Sequence, residues 1–463
     1  MSVSEFYGLG VLIAGLLLLT VLVYRGMSIF LAGPLCAFVV LVLSGADPVA
    51  GMNEKYMSGF ADYLRRFYLI FIFGAAFGKL MEHSGAAISL AELVVRKLGS
   101  QWACLAVVLS CAIMTYGGVS LFVVGFSVYP LALRIFRAAD LPHRFIPATI
   151  AFGSITFTMT SAGSPEIQNL IPIQYLVSET GEELTDARAG WPASLIVSAL
   201  MFLAGQVYLE WAIRRDKRRG RGFDMSHDGG NKDDSPFTAS PTVDREDTAS
   251  RPGGWMSLIP LALTLLALNV FPSLHERFPK DPAVAIFIGM ISAMICFRRY
   301  LISVTAPLAE GFVNGLLAIG ATCSVVGFGT ALKGLPAFNM VVDWVTHLPI
   351  DHLTAAALAV AIISGIAGSA SGGQGLALPI IKPIFVDALG VAPRALHRVV
   401  VIASGSLDSL PTNGYIVMLI RHICGETHAR AYGPIFVTTV LIPAGGTMLA
   451  IVLFRLFPAW GYM

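Results

Sequence analysis

Asp408 stands in VIASGSLDSLPTNGY (Val401 to Tyr415), a polar stretch set between apolar runs of membrane length. A carboxylate at bilayer depth costs roughly 2.5–3.5 kcal/mol or more unless it is paired or faces water. Its neighbours are turn formers. Pro411 removes a backbone donor, Asn413 and Gly414 tolerate left-handed geometry, and Ser404, Ser406, Ser409 and Thr412 compete for backbone hydrogen bonds. A membrane helix broken here exposes N–H and C=O groups that only protein, water or a bound solute can satisfy. The chemistry that fits is reversible solute binding beside a group able to take up and release a cation or proton.

Three further interruptions carry the same residue types. TMTSAGSPEIQN (Thr158–Asn169) supplies Thr160, Ser161, Glu166, Gln168 and Asn169. GGVS supplies Gly117, Gly118 and Ser120, and SASGGQG (Ser369–Gly375) supplies Ser371, Gly372, Gly373 and Gln374. Broken helices present free N–H groups and a positive dipole end, which suits an anion. Few fixed cations lie in these stretches, so a carboxylate is expected to be held by dipoles, hydroxyls and amides. The expected binding set is these residues with Ser406, Thr412 and Asn413. Asp408 is the expected coupling group, with Glu166 a second titratable candidate whose plainer reading is a helix cap. Taken singly, each Gly/Ser cluster reads as close helix packing; recurrence at matched places in both halves favours a site. His143 and His397 lie near segment ends and read as interfacial. The six cysteines (Cys36, Cys104, Cys111, Cys296, Cys323, Cys424) lack metal-ligand spacing and read as small core residues. No metal and no cofactor is expected.

The elements that position these groups are membrane spans. Hydrophobic residues make up 56% and charged residues 13%, with a mean hydropathy of +0.73, against about 25% charged in a soluble domain. Before Arg25 there is no Lys or Arg, so Leu9 to Tyr24 reads as part of a retained first span rather than a signal peptide. A span needs about 20 apolar residues. The expected order is Phe6–Tyr24, Ile29–Leu43, an amphipathic connection Ala46–Arg66, a span Phe67–Leu80, and an interfacial amphipathic helix Ala86–Leu98. A re-entrant hairpin (100–138), a broken helix (144–178) and a span Trp191–Ile213 follow. The polar tract 214–254 opens with RRDKRRGRG and reads as a cytoplasmic linker. Beyond it come spans Trp255–Phe271 and Ala283–Phe297, the long run Leu301–Leu332, an interfacial Gly334–His347, a hairpin (352–388), a broken helix (395–422) and a last span Ile435–Leu456.

The fold class is therefore all-α and polytopic, with two repeats, 1–213 and 255–463, of about five spans and one hairpin each. The distribution of Lys and Arg places both termini outside, and an odd number of crossings makes the repeats inverted. Arg394 and Arg398 are exceptions to that count and are expected near the outer mouth of the second hairpin.

With GGVSLFVV (Gly117–Val124), FTMTSAGSPEIQN (Phe157–Asn169) and the GSASGG stretch in view, the chain resembles the gluconate:proton symporter (GntP) family within the ion transporter superfamily, over nearly its whole length outside the linker. The resemblance implies proton-coupled transport of small sugar acids or hydroxy acids, such as gluconate or 3-hydroxybutyrate. It also implies a homodimer in a bacterial inner membrane, with an elevator-like transport domain sliding against a scaffold. Sodium-coupled relatives in the superfamily carry Ser-Asn-Thr at their hairpin tips. Here the tips read GGVS and SASGGQ, which weakens, without removing, the alternative of a sodium-coupled carboxylate or dicarboxylate symporter.

Other classes find less. HExxH is absent, GSLD offers one membrane carboxylate without a clear partner, and no intramembrane His is placed to serve Ser120 or Ser406, so an enzyme is not expected. No GxxxxGK[ST] supports ATP-driven transport, no continuous charged ring supports a channel, and no basic patch with aromatics supports nucleic-acid binding.

Overall fold

The computed structural model describes residues 3–25, 27–99, 102–224, 251–271, 281–333, 335, 350–411 and 413–463. The expected interfacial segment Gly334–His347, apart from Leu335, and most of the expected linker lie outside these residues, as does Thr412. Among the described residues the chain is helical, with one isolated bridge, Val177 to Glu183, in the acidic loop. Leu121–Ala138, Trp191–Arg218, Thr305–Lys333 and His428–Leu456 are long and apolar enough to cross a membrane. Shorter apolar helices, among them Ile29–Leu43, Ala103–Tyr116, Gly254–Asn269 and Pro282–Phe297, complete the body.

Two long helices, Met57–His83 and Thr305–Lys333, pack along each other. Small residues make the approach possible: a Cβ at Gly311 would stand 2.4 Å from Ala76 Cα, and one at Gly315 would stand 2.8 Å from the Phe71 carbonyl. Ile29–Leu43 lies against the second of the pair and Pro282–Phe297 against the first. The helix from Met57 begins about one-third of its length before the expected span Phe67–Leu80. Asp62, Arg65 and Arg66 give its first turns a polar face, but Tyr63 and Phe67 on the opposite face are fully buried. Burial of that stripe carries the helix through residues that look like a connection.

The hairpins and broken helices are built outside this pair. The first hairpin is Ala103–Tyr116 and Leu121–Ala138, turning at Gly117–Ser120, where Gly118 has φ +93°. The first broken helix runs from Ile146 to Thr156, opens over residues 157–166, and resumes as Ile167–Tyr175. The second hairpin is His352–Ala367 and Ala370–Ile381. The second broken helix is Pro393–Leu407, open from Asp408 to Asn413, and then Gly414–Met418 continuing to Ile423.

The second hairpin corrects one expectation. Its turn is only Gly368–Ser369, and Ser371, Gly372, Gly373 and Gln374 are helical. Ser369 caps the second arm by accepting the Gly372 N–H at 3.2 Å. The glycines beyond it are packing contacts: a Cβ on Gly373 would meet Ser364 Oγ at 2.0 Å, and one on Gly375 would meet the Tyr63 ring at 2.8 Å. Likewise Ser404 and Ser406 are helical, their hydroxyls donating to the Val401 and Ala403 carbonyls at 2.9 and 2.6 Å.

The apolar core is crossed between the halves. The first hairpin shares a buried cluster with Tyr415–Ile435, the region after the second break. The second hairpin shares one with Leu170–Ala187, the region after the first break. Each hairpin thus packs against the broken helices of both halves.

Candidate functional site

The two breaks meet around a small cavity. Thr156, Met159, Thr160 and Gln168 line it from the first broken helix, Gly405 and Asp408 from the second, Ala370 from the second hairpin tip, and Thr439 from the C-terminal helix. Its volume is about 20 Å³, room for about one water molecule. A larger concavity of about 460 Å³ opens elsewhere, between Glu92, Arg96 and Arg251 to Gly254, with no residue from a broken helix.

Asp408 is partly buried and is the sole carboxylate in the small cavity's wall. Ser409 Oγ donates to Asp408 Oδ1 at 2.8 Å, and the Ala370 N–H at the hairpin tip also bonds the carboxylate. Among the described residues it makes no ion pair, so a mobile cation or proton has no fixed competitor. Asn413 braces the break: its Oδ1 accepts the Ile416 N–H at 3.0 Å, and its Nδ2 donates to the Asp408 carbonyl at 2.9 Å and the Gly368 carbonyl at 3.2 Å. One side chain therefore caps the resumed helix, closes the break and ties it to the hairpin.

Of the sequence-derived candidates, the cavity gathers Thr160, Gln168 and Asp408. Gln168 Oε1 is buried without a partner among the described residues. Ser371 lies one residue from Ala370, with Oγ 3.1 Å from Ser369 Oγ. Gln374 donates to Ser404 Oγ at 2.8 Å, leaving its Oε1 unpartnered. Gly372 and Gly373 lie in the same buried first turn of the second hairpin arm.

The remaining candidates lie apart from the cavity. A Cβ at Gly117 would meet Leu261 at 2.6 Å, and one at Gly118 would meet Pro165 at 3.3 Å; Ser120 lies against Gly78. Ser161 bonds the Phe157 carbonyl and Ser198 Oγ, the latter at 2.7 Å. Asn169 is buried with its amide donating to the Ser164 and Ala187 carbonyls at 2.8 and 2.9 Å. Glu166 is buried at the start of Ile167–Tyr175 and makes no side-chain hydrogen bond among the described residues. Ser406 bonds back into its own helix.

Two histidines and an arginine expected near segment ends or a hairpin mouth are buried inside the protein. His143 is buried and pairs with Glu426 Oε1 at 2.9 Å, with Tyr129 Oη 3.3 Å from its other nitrogen. His397 is fully buried between Thr185 Oγ1 at 2.8 Å and Asn169 Oδ1 at 3.3 Å. Arg398 is also fully buried; Nε donates to the Ala189 carbonyl at 3.0 Å and Nη1 to the carbonyl of Thr160, a cavity residue. An arginine this fully buried is rare unless something pairs with it. Thr156 and Thr439 are polar cavity residues outside the expected set; for Thr439 the polar pair with Thr438 in FVTTVL is the available sign.

An all-helical body in which two broken helices meet around a small polar cavity, with a carboxylate in its wall, is that of a multi-pass membrane transporter. The GntP family permease model matches residues 8–241. The uncharacterized transporter YxjC of Bacillus subtilis is 32% identical over 459 residues, covering 92% of this chain and 94% of that protein. The chain belongs to the GntP permease family. The high-affinity gluconate transporter of Escherichia coli is 24% identical, covering 86% and 87%. The crystal structure of the Alcanivorax borkumensis YdaH transporter shares the fold, with a TM-score of 0.58 at 16% identity over 88% of each chain.

Proposed function

We propose that the protein is a secondary active transporter of small organic anions of the gluconate or 3-hydroxybutyrate kind, driven by proton symport. The observation that carries this is Asp408, free of any ion pair among the described residues, in the cavity where both broken helices and a hairpin tip converge. Similarity to a gluconate transporter over most of the chain supports the substrate class. Thr160 and Gln168 supply polar groups for a hydroxylated anion, and Ser371 and Gln374 follow Ala370 in the first turns of the hairpin arm whose tip lines the cavity. Asp408 binds the proton, and Glu166 is a second group available to it.

Transport proceeds by an elevator movement. The paired Met57–His83 and Thr305–Lys333 helices suit a scaffold, and the crossed hairpin clusters suit a body that moves as one unit. Recurrence of hairpin, broken helix and long helix in the same order supports inverted repeats over 1–213 and 255–463, joined by a cytoplasmic linker. Both termini then lie outside the inner membrane, and a homodimer is the working assembly. A cavity of about 20 Å³ is too small for a sugar acid, so loading requires the hairpin to open.

The test uses proteoliposomes with labelled gluconate or 3-hydroxybutyrate and an imposed pH gradient. Wild type accumulates one of them under an inward proton gradient, with or without sodium. Asp408→Asn abolishes accumulation and leaves exchange measurable. Unchanged pH dependence in that variant would remove Asp408 from coupling, and an absolute sodium requirement would replace the proton.

A further inference from the structure

The structure holds a buried cation that the coupling reaction does not use. Arg398 is 0% exposed. Two of its nitrogens are taken by backbone carbonyls, Ala189 and Thr160, and Nη2 is buried with no partner among the described residues. Among the described residues it makes no ion pair. Asp186 is the carboxylate whose field reaches it, but Asp186 is already bound to Arg394 at 2.9 Å and accepts the Arg188 N–H at 2.8 Å. Its neighbour His397 is committed to Thr185 and Asn169. A fully buried guanidinium without a counter-charge is unfavourable and is retained where something supplies that charge.

Its position says what. Arg398 and Gly405 lie at i and i+7 on one helix, two turns apart on one face, roughly 10 Å along the axis. Thr160 is between them: its carbonyl receives Arg398, and its methyl lies 3.7 Å from a Cβ built on Gly405. The cavity therefore has a carboxylic acid on one flank and, behind Thr160, a guanidinium on the other.

We propose that Arg398 is the anion-recognition residue of the transport site, with its unpartnered Nη2 the donor that receives the carboxylate of a hydroxy-monocarboxylate substrate. This rests on the anion-transport reading above and adds the source of charge selectivity. The planar guanidinium gives direction as well as charge, and the hydroxylated tail lies toward Thr160 and Gln168.

Thermal shift and calorimetry on the full-length protein in detergent test it, with gluconate and 3-hydroxybutyrate as probes and the uncharged amides, gluconamide and 3-hydroxybutyramide, as controls. In wild type the acid raises the melting temperature, and its amide needs at least a hundredfold higher concentration for the same shift. Arg398→Gln loses at least a hundredfold in acid affinity and discriminates little between acid and amide, whereas Arg398→Lys keeps part of the preference. A role confined to holding the Thr160 carbonyl would weaken acid and amide alike. Equal response of wild type to acid and amide overturns the assignment even where Arg398→Gln fails to fold; so does Arg398→Gln binding the acid like wild type. If no anion shifts wild type, the substrate class itself falls and this inference with it, a result distinct from either of those.

Discussion

Asn413→Ala isolates the brace of the second break. The side chain makes three bonds: one N-cap acceptance from Ile416, and two donations, to the Asp408 and Gly368 carbonyls. Loss of an Asn cap removes about 1 kcal/mol, and each donation is worth about 1 kcal/mol net, so alanine should destabilise by about 3 kcal/mol. The unfolding entropy of a 463-residue chain is on the order of 1 kcal/mol per degree, so the melting point should fall by about 3 °C. Asn413→Ser keeps a capping oxygen and loses the amide donors, for a fall of about 2 °C. The assay is intrinsic-fluorescence melting in one detergent at one scan rate. A melting point for Asn413→Ala within about half a degree of wild type, or Asn413→Ser falling as far as alanine, would refute the division of labour. Uptake in proteoliposomes should fall in both variants, because the same bonds set where the Asp408 main chain sits relative to the hairpin tip.

Substitutions at two further places probe packing and the buried pair. Gly373→Ala puts a methyl 2.0 Å from Ser364 Oγ and 2.5 Å from Ser364 Cα; the arms of the second hairpin must separate, at a loss of about 1–3 kcal/mol in melting experiments. Adding Ser364→Gly removes Cβ and Oγ but leaves Ser364 Cα 2.5 Å from the new methyl, so the double variant should recover part of the loss; full recovery would place the strain in the side chain alone. Glu426→Ala removes the Nδ1 partner of buried His143 and should lower stability by about 1–3 kcal/mol, while Glu426→Gln, which keeps an acceptor for that ring, should fall by less. Equal losses would mean that the pair acts through packing.

Much of the helical plan is legible in the sequence because its punctuation is local. Ile29–Leu43 and Ala86–Leu98 have the expected bounds, the latter bracketed by Gly85 and Gly99, both at positive φ. The breaks at residues 157–166 and Asp408–Asn413 fall where Pro165, Pro411 and Asn413 cannot continue a helix comfortably. What sequence pattern conflated was the two uses of glycine. SASGGQG looks like a loop, yet Gly373 and Gly375 are helical because Ser364 and Tyr63 press against them, contacts that only the tertiary structure supplies. Arg398 is a related case: counting positive charge reads orientation and not burial, and the carbonyls of Ala189 and Thr160 that this arginine reaches come only from the tertiary structure.

The two charges beside the cavity constrain the transport cycle. In the empty site Arg398 is +1 and ionised Asp408 is −1, a formal sum of zero. Neither makes an ion pair among the described residues. A monocarboxylate docked on Arg398 would leave the site at −1, a charge expensive to carry through a bilayer. One proton on Asp408 restores zero. On the proposed assignments, therefore, the fully loaded and empty forms cross with the same net charge, and the anion-only form is the one forbidden to move. A stoichiometry of one proton per monocarboxylate follows, with no net charge moved per cycle. The measurement is uptake under a clamped membrane potential: the accumulation ratio should track the pH gradient and ignore the potential. Accumulation that rises with an inside-negative potential would mean that more than one proton enters with each anion, and Glu166, buried at the start of the resumed first broken helix, would be the group to substitute next.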